Sequence, residues 1–215
     1  MRRFSIGFFA GAAALAFSAS AADAQTIGVK LGASLSNLNI DGTTGDTDWN
    51  TGFMGGGFIR FGFGRLGIQP EILSVTKGAE FDGGDGGEDE AIKIEYVAVP
   101  ILLHLPLTYG SSFAPYVIGG PEFAFDIGCE FSGAGGDIDC DDPAFPDGAL
   151  ERKAIDIGLS AGGGFAFAMG PGALLLEGRY TWGLTNISDV ADAVEIKNRS
   201  AYITAGYSIP LGRGY

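Results

Sequence analysis

Charged side chains at alternate positions of apolar segments are the residues of this chain that could do chemistry. Glu177 and Arg179 stand among leucines and aromatic residues in 174–184, Leu-Leu-Leu-Glu-Gly-Arg-Tyr-Thr-Trp-Gly-Leu. A period of two places both on one face of a β-strand, with the leucines and aromatic rings mostly on the other. Opposite charges that share a face out of contact with water can form ion pairs or line a path for ions.

The same pattern recurs along the chain, and its charged residues nearly balance: Lys30, Arg60, Lys77 and Arg179 against Glu71, Glu122, Asp126, Asp156 and Glu177. From these we predict an ion-pair network of Lys30, Arg60, Glu71, Glu122, Asp156, Glu177 and Arg179. The interior of an eight-stranded barrel is just wide enough for side chains to fill, which favours a closed, ion-paired interior. Glycines on the same faces should widen that interior, so a conduction path stays open as the alternative.

Other chemistry finds little support in the sequence. His104 is the only histidine and has no serine–histidine–acid context, so we predict no catalytic residue and no enzyme. The acidic stretch 81–90 lacks the ligand spacing of an EF-hand loop, and a solvated loop is favoured over a metal site. Glycines fall within strands or turns rather than between a strand and a helix, so no cofactor is predicted.

Cys129 and Cys140 are the only cysteines. In an exported chain, two cysteines so close together indicate one disulfide that closes a local loop. A metal or redox pair is the rival interpretation, but the spacing is wrong and no histidine is near.

The elements that must position these residues are strands. Eight segments alternate with period two: 26–35, 52–63, 66–77, 92–105, 113–126, 154–167, 174–184 and 199–211. Short connections at 64–65, 106–112 and 169–172 alternate with long ones at 37–51, 78–91, 127–153 and 185–197. Short turns at one end and long loops at the other are typical of outer-membrane barrels. The pattern predicts an all-β fold, an eight-stranded antiparallel up-and-down transmembrane β-barrel.

The N-terminus predicts export. Arg2 and Arg3 precede an apolar run, 4–16, and small residues lead to Ala22-Asp23-Ala24. This is the order of a cleaved secretory signal, so residues 1–24 are the expected signal peptide and residues 25–215 the barrel domain. No later apolar run approaches the 18 residues of a membrane-spanning helix.

Charge and hydropathy limit the possible partners. Without the signal, 11 basic and 25 acidic residues remain, a net charge of −14, which argues against a nucleic-acid partner. Yet 46% of the residues are hydrophobic and the mean hydropathy is +0.22. Most acids fall in the long connections and most apolar residues in the strands. A soluble barrel would expose faces poor in Lys, Glu and Asp, so the apolar faces are expected to meet lipid.

Several stretches together resemble the small outer-membrane β-barrels, the porin-family or PorT-like group with OmpA/OmpX-like barrel domains. They are Gln69-Pro70-Glu71-Ile72-Leu73, Pro100-Ile101-Leu102-Leu103, Gly119-Gly120-Pro121, Glu177-Gly178-Arg179-Tyr180 and Lys197-Asn198-Arg199. The resemblance covers nearly the whole mature chain and implies insertion into the outer membrane by its assembly machinery. One departure is the C-terminus, Gly212-Arg213-Gly214-Tyr215, where such barrels often end on Phe.

The sequence therefore predicts a monomeric outer-membrane barrel with a structural or surface-interaction role and a closed lumen held by ion pairs. A narrow porin or small-molecule conduit is the alternative. A soluble, secreted ligand-binding barrel is the third possibility.

Overall fold

A computed structural model describes residues 25–40, 49–81, 90–108, 110–133, 136–140, 153–185 and 196–211. The expected signal peptide, residues 1–24, lies outside these ranges, as does most of the acidic stretch 81–90. No helix in the described part of the chain is long and apolar enough to cross a membrane.

The described residues form nine strands: β1 (Gln25–Ile40), β2 (Asn50–Phe63), β3 (Leu66–Phe81), β4 (Glu90–Pro106), β5 (Phe113–Gly133), β6 (Gly136–Asp139), β7 (Ile155–Met169), β8 (Gly172–Gly183) and β9 (Ile196–Pro210). All neighbouring pairs are antiparallel. The first strand pairs with the last, from Thr26 opposite Pro210 to Ile40 opposite Ile196. β4 pairs with β5, which closes the sheet into a ring of eight strands, and β6 pairs with β5 alone among the strands described. The prediction of an eight-stranded antiparallel barrel is confirmed.

The faces of the strands are reversed relative to a soluble sheet. Large apolar side chains on the outside are strongly exposed, with Leu31 at 60% and both Ile72 and Ile203 at 66%. Glu177 and Arg179 point into the ring and are buried. Apolar side chains also fill parts of the interior, in one cluster around Leu73 and Tyr96 and another around Phe58 and Leu102. The barrel is therefore filled inside and apolar outside.

The two ends of the barrel differ. At one end, the two-residue turns Gly64-Arg65 and Gly170-Pro171 connect neighbouring strands, and Gly64 and Gly170 have φ values of 62° and 61°. Such positive φ values suit glycine, which has no Cβ to clash. The longer connections lie at the opposite end. We refer to these as the short-turn end and the long-loop end.

At the long-loop end, strands continue past the limits expected from alternation. β5 extends to Gly133 and turns back through β6, although the sequence predicted a loop over 127–153. The register of β4 against β5 shifts between Glu95 and Tyr96, so Glu95 faces Gly128 and Tyr96 faces Asp126. The extra residue, Ile127 of β5, interrupts the alternation of that strand, which is why the pattern gave no strand over 127–133. Beyond this shift, residues 76–81 of β3, 90–95 of β4 and 128–133 of β5 pair side by side, and β6 pairs with β5. We call this sheet the extension.

Candidate functional site in the barrel lumen

Charged residues of six strands meet inside the ring. Lys30, Glu71, Lys77, Glu122, Asp156, Glu177 and Arg179 are all buried, and Arg60 is half-buried. These eight side chains carry four positive and four negative charges. They contact one another in two centres, one nearer the short-turn end and one nearer the long-loop end.

The first centre joins β1, β3 and β8. Lys30 Nζ donates to Glu71 Oε1 at 2.8 Å and to Glu177 Oε1 at 2.9 Å. Arg179 Nη1 donates to Glu71 Oε2 at 2.9 Å, and the hydroxyl of Tyr116 donates to Glu177 Oε2 at 3.1 Å. Each carboxylate oxygen of this centre therefore accepts a charged or polar hydrogen bond, as a buried carboxylate requires.

Arg60 belongs to the first centre only indirectly. Its Nε donates to Gln69 Oε1 at 2.7 Å, and Gln69 Nε2 donates to Glu71 Oε1 at 2.6 Å. The ring of Phe58 lies 5.5 Å from the Arg60 guanidinium and 5.2 Å from Lys30 Nζ. Arg60 is not a partner in the salt bridges found among the described residues, where the sequence predicted an ion pair. A neutral amide occupies the position between Arg60 and Glu71.

The second centre surrounds Glu122. Lys77 Nζ donates to Glu122 Oε1 at 3.2 Å and lies 3.8 Å from Asp156 Oδ2. The hydroxyls of Ser160 and Thr181 donate to Glu122 Oε2 at 3.0 and 3.2 Å. Lys77 is thus the cation of this centre, although the predicted network omitted it.

Neutral side chains that the prediction did not name complete both centres. Asp156 accepts from Asn198 Nδ2 at 2.8 Å and from the hydroxyl of Thr185 at 2.7 Å. The others are Gln69, Tyr116, Ser160 and Thr181. All of these share the inward parity of the charged residues, and that parity was the available signal, although Thr185 lies beyond the end of β8. Alternation does not show which inward polar side chains contact each other. Their pairing is defined only when the strands close into the ring.

Glycines flank the central lysine. Lys30 lies opposite Gly56 on β2 and Gly206 on β9. A Cβ on Gly206 would lie 3.1 Å from the Cβ of Lys30 and 2.5 Å from the carbonyl oxygen of Val29, and a Cβ on Gly56 would overlap the carbonyl oxygen of Ile72. These glycines allow neighbouring strands to approach closely, as the tight curvature of a small barrel requires. The expectation that they widen the lumen is wrong at these two positions.

The predicted disulfide and the single histidine both lie within the described strands or directly beside them. Cys129 and Cys140 are joined by a disulfide that ties β5 to the residue after β6, so the predicted pairing is present. His104 lies buried on the inner face of β4, with its ring 4.6 Å from that of Tyr116. Among the described residues, no three His, Cys, Asp or Glu side chains are grouped so that they could hold a metal ion.

Aromatic residues cluster on the outer surface at two levels. Phe113 stacks on Phe165 at 5.3 Å and lies 5.2 Å from Phe167, near the short-turn end. Tyr180 and Trp182 lie 4.7 Å apart toward the other end. Aromatic belts at both edges of an apolar band mark the two interfaces of a membrane.

Comparison with known families identifies the chain. Residues 2–189 match the sequence model of the outer membrane protein beta-barrel domain. The chain belongs to this family. As an outer-membrane barrel, it is embedded in the bilayer of the outer membrane, where its exposed apolar belt contacts lipid. The soluble, secreted barrel considered from the sequence is therefore excluded.

Solved structures with a similar fold have little sequence in common with this outer-membrane barrel. Neisserial surface protein A is 14% identical, with a TM-score of 0.49 and coverage of 85% of this chain and 96% of that one. OprG from Pseudomonas aeruginosa is 14% identical, with a TM-score of 0.49 and coverage of 86% and 96%. Ail, the attachment invasion locus protein of Yersinia pestis, is 14% identical, with a TM-score of 0.39 and coverage of 86% and 98%. Among curated proteins, no sequence matches significantly.

Proposed function

We propose that this outer-membrane barrel is a non-conducting, non-enzymatic surface protein whose ion-paired lumen acts as a plug and whose extension contacts partners outside the cell. The observation that carries the proposal is the pairing of Lys30, Glu71, Glu177 and Arg179 across the lumen. In this proposal the short-turn end faces the periplasm and the long-loop end faces outward, as in other outer-membrane barrels.

The contacts at the centre of the barrel support a plug. Glu71 alone accepts from Lys30, Gln69 and Arg179, which reach it from β1, β3 and β8. Lys77, Glu122 and Arg179 are each less than one-twentieth exposed. An ion crossing the barrel would have to separate these pairs, and breaking a buried pair costs about 3–5 kcal/mol.

The plug predicts no single-channel steps when the purified protein is reconstituted in planar bilayers. Arg60→Ala should also give no single-channel steps, because Lys30, Glu71 and Arg179 still block the lumen without Arg60. A narrow porin would instead give steps whose size changes in Arg60→Ala, since the charge at its mouth would be lost. Arg199→Ala, at an exposed position of β9, is the matched control. Steps in the wild type that Arg60→Ala alters and Arg199→Ala does not would replace the plug with the conduit.

The extension supports a role at the surface. β5 and β6 rise beyond the point where β7 begins, because the pairing of β5 with β7 ends at Phe125 and Ile155. The disulfide closes this hairpin, and Glu130 of β5 lies directly opposite Asp139 of β6, both exposed. Two adjacent carboxylates attract a positively charged partner. A rigid strand hairpin presents them at low conformational cost.

The disulfide can be removed to test this role. In the variant Cys129→Ala/Cys140→Ala, the barrel should keep its heat-sensitive gel mobility. Both cysteines pack in the cluster around Leu73 and Tyr96, but neither takes part in the ion pairs of the lumen. Protease should cleave the hairpin on intact cells about tenfold faster or more, since a disulfide stabilises a short loop by about 2–3 kcal/mol. Adherence of the expressing cells to a positively charged partner should fall in parallel.

Ser132→Ala, within the same hairpin but with the disulfide intact, is the control. It should match the wild type in cleavage and in adherence. If the double variant adheres as well as the wild type while its hairpin is cleaved, recognition by this hairpin is refuted and the plug is not.

We also propose how this barrel is exported, how it is inserted and in which oligomeric state it works. Residues 1–24 act as the cleaved export signal, supported by the order of Arg2 and Arg3, the apolar run and Ala22-Asp23-Ala24. The outer-membrane assembly machinery inserts the chain, supported by its membership of the family. The protein works as a monomer, supported by a ring that closes within one chain and by a lumen whose charges balance without a second copy.

A further inference from the structure

A cavity of about 230 Å³ opens at the short-turn end of the barrel, below the first ion-pair centre. Its walls come from the ends of β1 to β5 and β7 at that end, together with the turn Gly64-Arg65. We call this cavity the vestibule. Its polar lining includes Arg60, Arg65, His104 and Tyr116.

The vestibule is basic in an otherwise acidic protein. Two arginines line it, and none of the described residues that line it is an aspartate or glutamate. The carboxylates above it are already engaged, because Glu71 accepts from Lys30 and Arg179, and Glu177 accepts from Lys30. Arg60 forms no salt bridge with either carboxylate, and its Nε donates to the neutral amide of Gln69.

His104 supplies a second, independent observation. The side chain is only 4% exposed, and its Nε2 has no hydrogen-bond partner among the residues that the structure describes. Leaving a buried polar atom unpaired costs about 1–3 kcal/mol, so native proteins rarely do so without a reason. The ring of Tyr116, whose hydroxyl donates to Glu177, lies 4.6 Å from the ring of His104 at a tilt of 30° and holds it in the vestibule wall.

Local chain geometry keeps the arginines at the vestibule. A Cβ on Gly67 would lie 3.2 Å from Cγ and 3.3 Å from Cδ of Arg60, so the glycine leaves room for the stem of this arginine. Gly64, with a φ of 62°, forms the two-residue turn that places the exposed Arg65 at the rim. One cation thus lies in the wall and one at the entrance.

We propose that the vestibule binds a small oxyanion with the chemistry of free phosphate, held by Arg60, Arg65 and His104 Nε2. Planar guanidinium groups match the oxygens of such an anion with two donors each. The volume holds several water molecules but is below the usual range for drug-sized ligands, so the anion is small. This site is separate from the plug and from the extension, and it requires neither conduction nor a surface partner.

The single histidine makes the site directly observable. In a spectrum that correlates the ε1 carbon and proton of histidine, His104 gives the only signal from the native sequence. We expect this signal to shift and saturate as inorganic phosphate replaces chloride at constant ionic strength, with the protein in non-ionic detergent micelles. A parallel titration with a short-chain phosphatidylglycerol distinguishes a lipid headgroup from the free anion.

Arg65→Gln should weaken phosphate binding about tenfold, the effect of losing one hydrogen bond to a charged group. The matched control is Arg199→Gln, on the outer face of β9 toward the long-loop end, which should bind as the wild type does. Both positions are exposed, so folding is retained and is checked by heat-sensitive gel mobility. A saturable shift with phosphate that Arg65→Gln weakens supports the proposal. A shift with the lipid alone, no saturable shift, or equal effects of the two substitutions would overturn it.

Discussion

Replacing Glu71 with alanine is expected to destabilise the barrel by about 3–5 kcal/mol. Glu71 is 1% exposed and accepts hydrogen bonds from Lys30, Arg179 and Gln69. Without it, Arg179 loses its only salt bridge among the described residues, and Lys30 keeps only Glu177. An unpaired charge held away from water costs more than the pair itself contributes, which is why the loss is large.

The free energy of unfolding of Glu71→Ala would be measured by urea titration in lipid vesicles, followed by tryptophan fluorescence. Glu130→Ala is the matched control, because it removes the same side chain from an exposed position on β5. The control should stay within about 0.5 kcal/mol of the wild type. Equal effects at the two positions would show that the lumen pairs contribute nothing to stability and would remove the physical basis of the plug.

Replacing Leu31 with arginine is expected to cost about 2–4 kcal/mol, because an arginine on the lipid face of a barrel is most costly at the middle of the bilayer. Leu31 is 60% exposed and is the third of five outward positions along β1, from Ile27 to Leu35. Its neighbours across the strands, Gly55 and Ala205, offer no partner for the charge.

Leu107→Arg is the control for depth. Leu107 is 56% exposed and follows β4 at the short-turn end, at the edge of the apolar belt. There the same substitution should cost only about 0–1 kcal/mol, since the arginine reaches water. Both variants are compared with the wild type by urea unfolding in lipid vesicles. A Leu31→Arg protein as stable as Leu107→Arg would place β1 outside the hydrocarbon.

Alternation separated the two faces of β8, and the scarcity of charge on the polar faces of all the strands predicted that the apolar face points outward. Leu176 and Trp182 are exposed on the outer surface, and Glu177 and Arg179 are buried in the lumen, as the period of two requires. The same reasoning failed at residues 127–139, where a bulge and a change of pairing partner put β5 and β6 in place of a loop. A local pattern cannot report a register shift, because the shift depends on the neighbouring strand.

The composition of the charged centres was harder to predict than their location. Lys77 shares the parity of Glu71, but only the ring brings it to Glu122 and Asp156. Arg60 has the correct parity too, yet Gln69 lies between it and Glu71. Parity assigns a residue to the interior, whereas height along the barrel axis and the strand stagger decide its partner.

The partners in the lumen are far apart along the chain. Lys30 and Glu177 are separated by 147 positions, and Arg179 and Glu71 by 108. β1 must already adjoin β9, and β9 must adjoin β8, before these charges meet. A sheet that has not yet closed therefore carries unpaired charges, which are energetically costly in hydrocarbon. In the closed barrel these charges are paired, and the cost is removed. Because these pairs form only in the closed ring, we expect entry into the bilayer and closure of the last seam to be coupled.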